Sequence, residues 1–285
     1  MPKPAFPRIG ITIRHDMEGK EKILARIILT AKNCGCEVSE LEDVSNPKAL
    51  KKIDLLITLG GDGTVIATVR ELPGLVIPLL CINQGTLGFL TEMESSEIET
   101  ALPKLLMKGG IMDERQLLQI SLQEGNSWKP VGRVLNEAVV GQGGFSRLLA
   151  LHTLINGEEL ATFRADGLIL ATPTGSTAYN LAAGGTIVHP RLTTAATILT
   201  PINPHSFRQK PLVVPGAERI TVEVLTEDNA YRSIDPVLTL DGQITIPLKR
   251  GQRVSVIAHE ERVKFLRRKA DTFYQKLREK LGWGE

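Results

Sequence analysis

Aromatic residues are scarce in this chain, at 4% of its 285 residues. That excludes a stacking platform for single-stranded nucleic acid, which needs several exposed rings. An excess of either charge sign is missing too. With 34 basic and 32 acidic residues, a net charge of +2 leaves no footprint for duplex DNA or an anionic membrane. Cysteine occurs only three times, at Cys34, Cys36 and Cys81, an odd count that argues against a disulfide framework and for a reducing, cytoplasmic setting. No further Cys or His cluster completes a four-ligand zinc site around Cys34 and Cys36, so no metal ligands are assigned. No run of about 18 apolar residues is present to span a membrane, and no apolar stretch of signal-peptide kind follows Met1-Pro2-Lys3-Pro4. What is present is an ordinary globular composition, long enough for one large or two modest domains.

The chain changes texture near residue 110. Before it, strand and helix patterns alternate. Arg8 to Ile13, Asp54 to Leu59 and Val76 to Ile82 read as buried strands, and Glu21 to Asn33 carries a helical apolar stripe with Gly35 at its C-terminal cap. Ser95 to Lys108 reads as a helix ended by Gly109-Gly110. Strands apolar on both faces and flanked by helices predict a parallel βαβ sheet. From about Glu114 to Ala258 short β-like runs follow one another between Gly, Pro, Asn and Asp: Leu117 to Leu122, Val131 to Val140, Gly167 to Ala171, Arg219 to Leu225, Val237 to Leu240 and Arg253 to Ala258. The run from Arg262 to Lys269 alternates charge with apolar residues and reads as a solvated strand-to-helix edge. Ala270 to Leu281 returns to a helix pattern. The expected architecture is α/β plus all-β: a Rossmann-like α/β domain over 1–110, a β-rich domain over 111–262, and a strand and helix over 263–285 returning to the first domain.

Gly60-Gly61-Asp62-Gly63-Thr64 directly follows the strand ending at Leu59 and precedes a helical pattern. Glycines let a backbone approach an anion, and the N–H groups at a helix start point at phosphate oxygens. Asp62 would repel a triphosphate unless it takes a proton from an attacking hydroxyl or helps to hold Mg²⁺. A lone Asp-Gly is a turn; five residues of this kind at a strand-to-helix junction point to phosphate handling. The loop is neither a Walker A sequence nor a Gly-x-Gly-x-x-Gly fingerprint.

Further on, Asn83-Gln84-Gly85-Thr86-Leu87-Gly88-Phe89-Leu90, Asn136-Glu137, the long block Asp166 to Gly185, Thr200-Pro201-Ile202 with Pro204-His205-Ser206, and Asp241-Gly242-Gln243 occur in order. Together with the Gly60–Thr64 loop, they make the sequence resemble the NAD kinases (ATP- and polyphosphate-dependent) over nearly its whole length. The loop by itself is shared with diacylglycerol-type lipid kinases and phosphofructokinases; the block from Asp166 to Gly185 is far more specific. The resemblance implies transfer of the γ-phosphoryl group of ATP to the 2′-hydroxyl of the adenosine ribose of NAD, giving NADP, with Mg²⁺ or another divalent cation. It implies Asp62 as general base, with Gly60, Gly61, Gly63 and Thr64 about the phosphates and Phe89 and Leu90 closing around the nucleotide. Asn136 and Glu137 would hold ribose hydroxyls, Thr174, Thr177, Ala178 and Tyr179 the adenosine, and Asp166 the other end of the dinucleotide. Ala182 stands where many relatives carry serine, and Lys210 where an arginine before Pro211 is commoner, replacing a planar fork by a point charge. The implied partners are small molecules, with neither nucleic acid nor membrane, and a homodimer or homotetramer. A lipid kinase should show an apolar or basic docking helix, and the sequence has none.

The residues carry their own physical reading as well. Glu137 beside buried β structure is costly unless paired, and a diol is a fitting partner; a turn between strands is the plain alternative. The hydroxyls of Thr172, Thr174, Ser176 and Thr177 exceed what a helix cap requires, which favours a polar pocket. Arg164, two residues before Asp166, fits a phosphate contact or an ordinary salt bridge equally. His205, Trp128 and Trp283 are assigned no role.

Overall fold

The computed structural model describes residues 3–13, 19–74, 76–85, 88–143, 148–225, 235–269 and 273–282. Thr86 and Leu87 of the second motif, the start of the tail helix at residues 270–272, and Trp283 lie outside them. The chain divides into two units, Met1–Glu114 with Val263–Glu285, and Arg115–Arg262.

The first unit runs β1 (Arg8–Ile13), α1 (Lys20–Asn33), β2 (Glu37–Glu40), α2 (Pro47–Leu50), β3 (Leu55–Leu59), α3 (Asp62–Glu71), β4 (Leu79–Asn83), β5 (Met93–Glu94), α4 (Ile98–Lys108) and β6 (Ile111–Arg115). Its sheet has the order β2-β1-β3-β4, with β2, β1, β3 and β4 parallel to one another and β5 also paired with β4. β3 is buried at all five positions, as a strand covered on both faces must be. Helix α1 buries Ile23, Ile27 and Ala31 and ends where its sequence says it should. Gly35 takes φ 79°, and its N–H and that of Cys36 close back on the carbonyls of Lys32 and Ala31, a Schellman cap. The third strand starts at Leu79 rather than at Val76: Pro78 has no N–H for a ladder and Val76 is exposed.

Among its described residues the second unit is all-β apart from one short α-helix and a 3-10 turn at Gly175–Thr177. Its strands are β7 (Leu118–Glu124), β8 (Ser127–Val134), β9 (Glu137–Gln142), β10 (Leu149–Ile155), β11 (Glu158–Ala165), β12 (Gly167–Ala171), β13 (Ala196–Ile202), β14 (Leu212–Pro215), β15 (Ile220–Val224), β16 (Pro236–Leu240), β17 (Ile244–Pro247) and β18 (Arg253–Ala258), with α5 (Tyr179–Ala182) before β13. Two six-stranded sheets form, β11-β10-β15-β18-β7-β8 and β14-β13-β12-β9-β16-β17, antiparallel throughout. One core joins their inner faces, from Leu118, Ile120 and Val256 on the first to Val140, Leu168 and Leu238 on the second. The run from Val131 to Val140, expected as one strand, is two. It breaks at Leu135-Asn136, for a reason that belongs to the site.

The chain then returns to the first unit as β19 (Val263–Arg267) and α6 (Phe273–Leu281). The α/β plus all-β architecture with a C-terminal helix is thus the expected one. The basic run is not a solvated edge, however. β19 lies between β4 and β6 in the sheet, and Val263, Phe265 and Leu266 are fully buried. The Arg267 side chain, 7% exposed, pairs with Asp113 at 3.2 Å and Glu92 at 3.4 Å. A buried guanidinium is tolerable only with such partners, and both are remote in sequence.

Candidate functional site

Two groups of sequence-selected residues are found, one in each unit. In the first unit, Gly60 leaves β3 with its N–H on the Ile82 carbonyl at 2.9 Å and takes φ 153°, where a Cβ would also strike Thr64 Oγ1 at 2.3 Å. Only glycine fits there. Gly61 caps α3, so Asp62 is the first helical residue, with Gly63 and Thr64 in the first turn. Such a helix start favours negative charge in front of it. The Asp62 carboxylate accepts the Phe89 N–H at 2.8 Å through one oxygen and the Leu90 N–H at 3.1 Å through the other. The approach is so close that a Cβ on Gly88 would lie 2.0 Å from Asp62 Oδ1, which explains the glycine of the second motif. Asp62, Phe89 and Leu90, selected from separate motifs, are therefore one structural group.

In the second unit, Asn136 lies in the break between β8 and β9, and Glu137 opens β9. Asp241, which follows β16 with φ 49°, makes that break: its carboxylate accepts the N–H groups of Leu135 at 2.9 Å, Asn136 at 2.8 Å and Glu137 at 3.1 Å. Three amides turned to one carboxylate cannot continue a ladder. Glu137 is 6% exposed, and its Oε2 has no hydrogen-bond partner among the described residues. Burial chiefly, and the neighbouring Asp241 carboxylate next, push its pKa up to about 8, against the Tyr179 N–H that pulls it down.

Glu137, Asp166 and Tyr179 line one pocket of about 500 Å³, together with Asn203, Val237, Thr239 and neighbouring residues. Asp166 stands at the corner where the chain passes from β11 to β12, and accepts the Asn203 side-chain N–H at 3.0 Å. Thr174, Thr177 and Ala178 belong to the turn leading into α5. Thr174 is buried against Arg115 at 3.5 Å, Thr177 bonds the Thr174 carbonyl at 3.3 Å, and Ala182 is exposed at the end of α5. Arg164 is exposed on β11 and does not line the pocket.

The hydroxyls of this turn have structural work that the sequence did not reveal. Thr172 Oγ1 donates to the Leu135 carbonyl at 2.6 Å and accepts the Gly175 N–H at 3.0 Å. Ser176 Oγ lies 2.7 Å from the Pro173 carbonyl and accepts the Val188 N–H at 3.0 Å. Asn180, fully buried, donates to the Ser176 carbonyl at 3.1 Å and accepts from Thr200 at 2.7 Å. The turn is thereby tied to the Asn136-Glu137 break. A Cβ on Gly175 would lie 2.1 Å from the Asn136 carbonyl oxygen, which is main chain and cannot step aside. Gly175→Ala is expected to cost about 1–3 kcal/mol in a urea melt. An unchanged midpoint would show that this contact is not a tight one in solution.

The Glu137 pKa carries a second prediction. Between the ordinary value near 4.5 and about 8 the unfolded chain has released this proton and the folded chain has kept it, so stability falls as pH rises through that window. The fall attributable to Glu137 is on the order of a few kcal/mol, and Glu137→Gln should remove it. Denaturant midpoints of the two proteins measured from about pH 5 to about pH 9 should diverge most at the low end of stability, above pH 8; parallel curves would contradict the assignment.

Sequence reasoning assigned no role to Asp241 or Asn203. The first stood in the Asp241-Gly242-Gln243 motif with nothing to say what it held. The second had only its place between two motifs and takes a left-handed φ of 44°.

A glycine loop presenting a carboxylate at a helix start, and a β-sandwich pocket holding a buried acid, fit the class of nucleotide-dependent phosphotransferases. Residues 8–111 match the ATP-NAD kinase N-terminal domain and residues 135–268 the ATP-NAD kinase C-terminal domain. The chain is 37% identical over 255 residues to the NAD kinase of Geotalea daltonii, covering 90% of this chain and 86% of that one. It is 34% identical to that of Saccharophagus degradans, covering 98% and 97%. Among solved structures it resembles yeast NADH kinase complexed with NADH (TM-score 0.83, 26% identity, 98% of this chain and 88% of that one). It also resembles an NAD kinase from Archaeoglobus fulgidus in complex with ATP (TM-score 0.76, 26% identity, 95% and 98%). The chain belongs to the NAD kinase family.

Proposed function

We propose that this NAD kinase transfers the γ-phosphoryl group of ATP in line to the 2′-hydroxyl of the adenosine ribose of NAD, releasing NADP and ADP, with Asp62 as general base. The observation that carries the reading is the Asp62 carboxylate, fixed at the first residue of α3 by two backbone N–H groups. Each oxygen accepts one of these N–H groups, and an ionised carboxylate has about four acceptor sites, so capacity remains for a hydroxyl proton. A ribose hydroxyl is a poor nucleophile near neutral pH, and a positioned acceptor lowers that barrier.

The roles follow the chemistry of each group. Gly60, Gly61, Gly63 and Thr64 would cradle phosphate at the helix start. Glu137 and Asn136 would take ribose hydroxyls; the partnerless Oε2 of Glu137 supports this, because a ribose hydroxyl both donates and accepts and so suits the carboxyl in either protonation state. Asp166 and Asn203 would bind the other end of the dinucleotide, with Tyr179, Thr174, Thr177 and Ala178 about the adenosine and Phe89 and Leu90 closing on it. No group of three or more His, Cys, Asp and Glu suited to a metal is found among the described residues. A divalent cation such as Mg²⁺ would arrive on the phosphates of ATP, where it neutralises their charge.

A reducing cytoplasm is the proposed setting. Burial pushes the thiols of Cys36 to about 11 and Cys81 to about 12, which keeps both protonated and inert. Among the described residues no helix is long and apolar enough to cross a membrane.

The test is NADP formation from NAD, ATP and Mg²⁺, read with an NADP-specific dehydrogenase. NADH is run beside NAD, because the yeast relative was solved with NADH, and polyphosphate beside ATP. NADP formed in an ATP- and Mg²⁺-dependent manner supports the reading; no phosphorylation of either dinucleotide by folded protein overturns it.

A further inference from the structure

The motif that meets Asp62 is itself held from behind by the C-terminal segment. Lys276, on α6, is 6% exposed and donates from Nζ to the carbonyls of Phe89 and Thr91, each at 2.9 Å. One turn further, the Lys280 ammonium lies 5.9 Å from the centre of the Phe89 ring. From β19, Arg267 donates to the Leu90 carbonyl at 2.7 Å, and Arg268 donates to the Glu92 carbonyl at 2.7 Å and to its carboxylate at 3.1 Å. Four consecutive carbonyls, from Phe89 to Glu92, thus face three cations supplied 176–187 positions later in the chain.

One peptide unit joins the two sides. The Phe89 carbonyl accepts from Lys276, and the amide N–H of the same peptide plane, that of Leu90, donates to Asp62 Oδ1 at 3.1 Å. A cation on the oxygen and a carboxylate on the N–H polarise the peptide in the same sense, so each bond strengthens the other. Burying an ammonium is costly without strong acceptors. An apolar side chain would fill the same space under α6 without that cost. The two carbonyls are the observed return for placing a lysine there.

We propose that Lys276 is a positioning residue for catalysis: it orients the Phe89–Leu90 peptide and through it fixes the Asp62 carboxylate. α6 is then part of the catalytic apparatus rather than a cover for the sheet. This rests on Asp62 being the base, and the test separates the two ideas.

Lys276→Met keeps length and apolar volume but donates nothing. Its kcat should fall on the order of 10- to 100-fold, the effect of a displacement of about an ångström at a reacting group. KM for NAD and ATP should move by less than about threefold, because no contact to either nucleotide is removed. Lys276→Arg, which still donates to carbonyls, should recover most of the loss. Placed in an Asp62→Asn background, Lys276→Met should lower the residual rate no further, since the two act as a unit. A folded Lys276→Met protein with unchanged kcat overturns the proposal while Asp62→Asn remains impaired. Equal loss in the Asp62→Asn background, or no recovery by Lys276→Arg, overturns it too. If Asp62→Asn itself turns over normally, the base assignment fails first. Should Lys276→Met not fold, Lys276→Ala, which also donates nothing, takes its place, and a normal kcat in that folded variant likewise overturns the proposal.

Discussion

Asp62→Asn should leave NAD binding nearly intact and lower kcat by roughly 10²- to 10⁴-fold, the span that a positioned general base contributes. The substitution is isosteric, so the helix start and the glycine turn before it are kept. What changes is donor count. The carboxylate offers an acceptor to both the Phe89 and the Leu90 N–H. An amide offers one oxygen, and its NH₂ would confront the other N–H, a mismatch costing about 1–3 kcal/mol. Some loss of thermal stability is therefore expected beside the loss of turnover, and the two must be read on one preparation. NAD affinity by calorimetry establishes that the pocket survives; single-turnover rates with ATP report the chemical step. Turnover within about tenfold of the unsubstituted protein, in a sample that binds NAD, would remove Asp62 from the base role. A collapse of NAD binding together with kcat would instead make Asp62 a binding residue.

Much of the frame was legible because its signals are local. Leu55 to Leu59 is apolar throughout since both faces of β3 are covered, and Gly167 to Ala171 and Arg253 to Ala258 have the observed bounds of β12 and β18. Gly35 marks the end of α1 because a left-handed cap needs it. Apart from the strand start that Pro78 displaces, the misreadings turn on hydrogen-bond partners that the local pattern does not show. Val131 to Val140 reads as a single strand until Asp241, about a hundred residues on, takes three of its amides. The run from Arg262 to Lys269 reads as solvated until Glu92 and Asp113 are seen to receive Arg267. The hydroxyls of Thr172 and Ser176 read as a surplus until the carbonyls that they satisfy are known. Of the candidate site, the motifs marked Asp62, Phe89 and Leu90, which the fold brings together, and Glu137, Asp166 and Tyr179, which line one pocket. They gave no role to the residues that aim those groups, Asp241 although it stood in a motif and Lys276 in none, because aiming is a matter of contact and not of composition.

Asp241→Ala should be among the most damaging changes in the second unit. The carboxylate holds the N–H groups of Leu135, Asn136 and Glu137, and the residue's own N–H returns to the Glu137 carbonyl at 2.9 Å. Hydrogen bonds to a charged acceptor contribute about 1.5–3 kcal/mol each, and orphaned buried amides add a penalty. Water entering the vacated space would recover part of this, so a net loss of about 3–5 kcal/mol is expected. Alanine also tolerates the φ of 49° poorly, whereas asparagine accepts it. Asp241→Asn is thus the informative companion. It keeps one acceptor and the turn but removes the charge that helps to raise the Glu137 pKa. Glu137 should then ionise at lower pH, and the fall in stability between about pH 5 and about pH 8 should become shallower than in the unsubstituted protein. NAD affinity should drop in both variants, more in Asp241→Ala, because Asn136 and Glu137 lose their fixed direction. A denaturation midpoint for Asp241→Ala within about 1 kcal/mol of the unsubstituted protein would mean that the strand break persists without its clamp. The reading of Asp241 as the residue that shapes the pocket would then fall, whatever became of the activity.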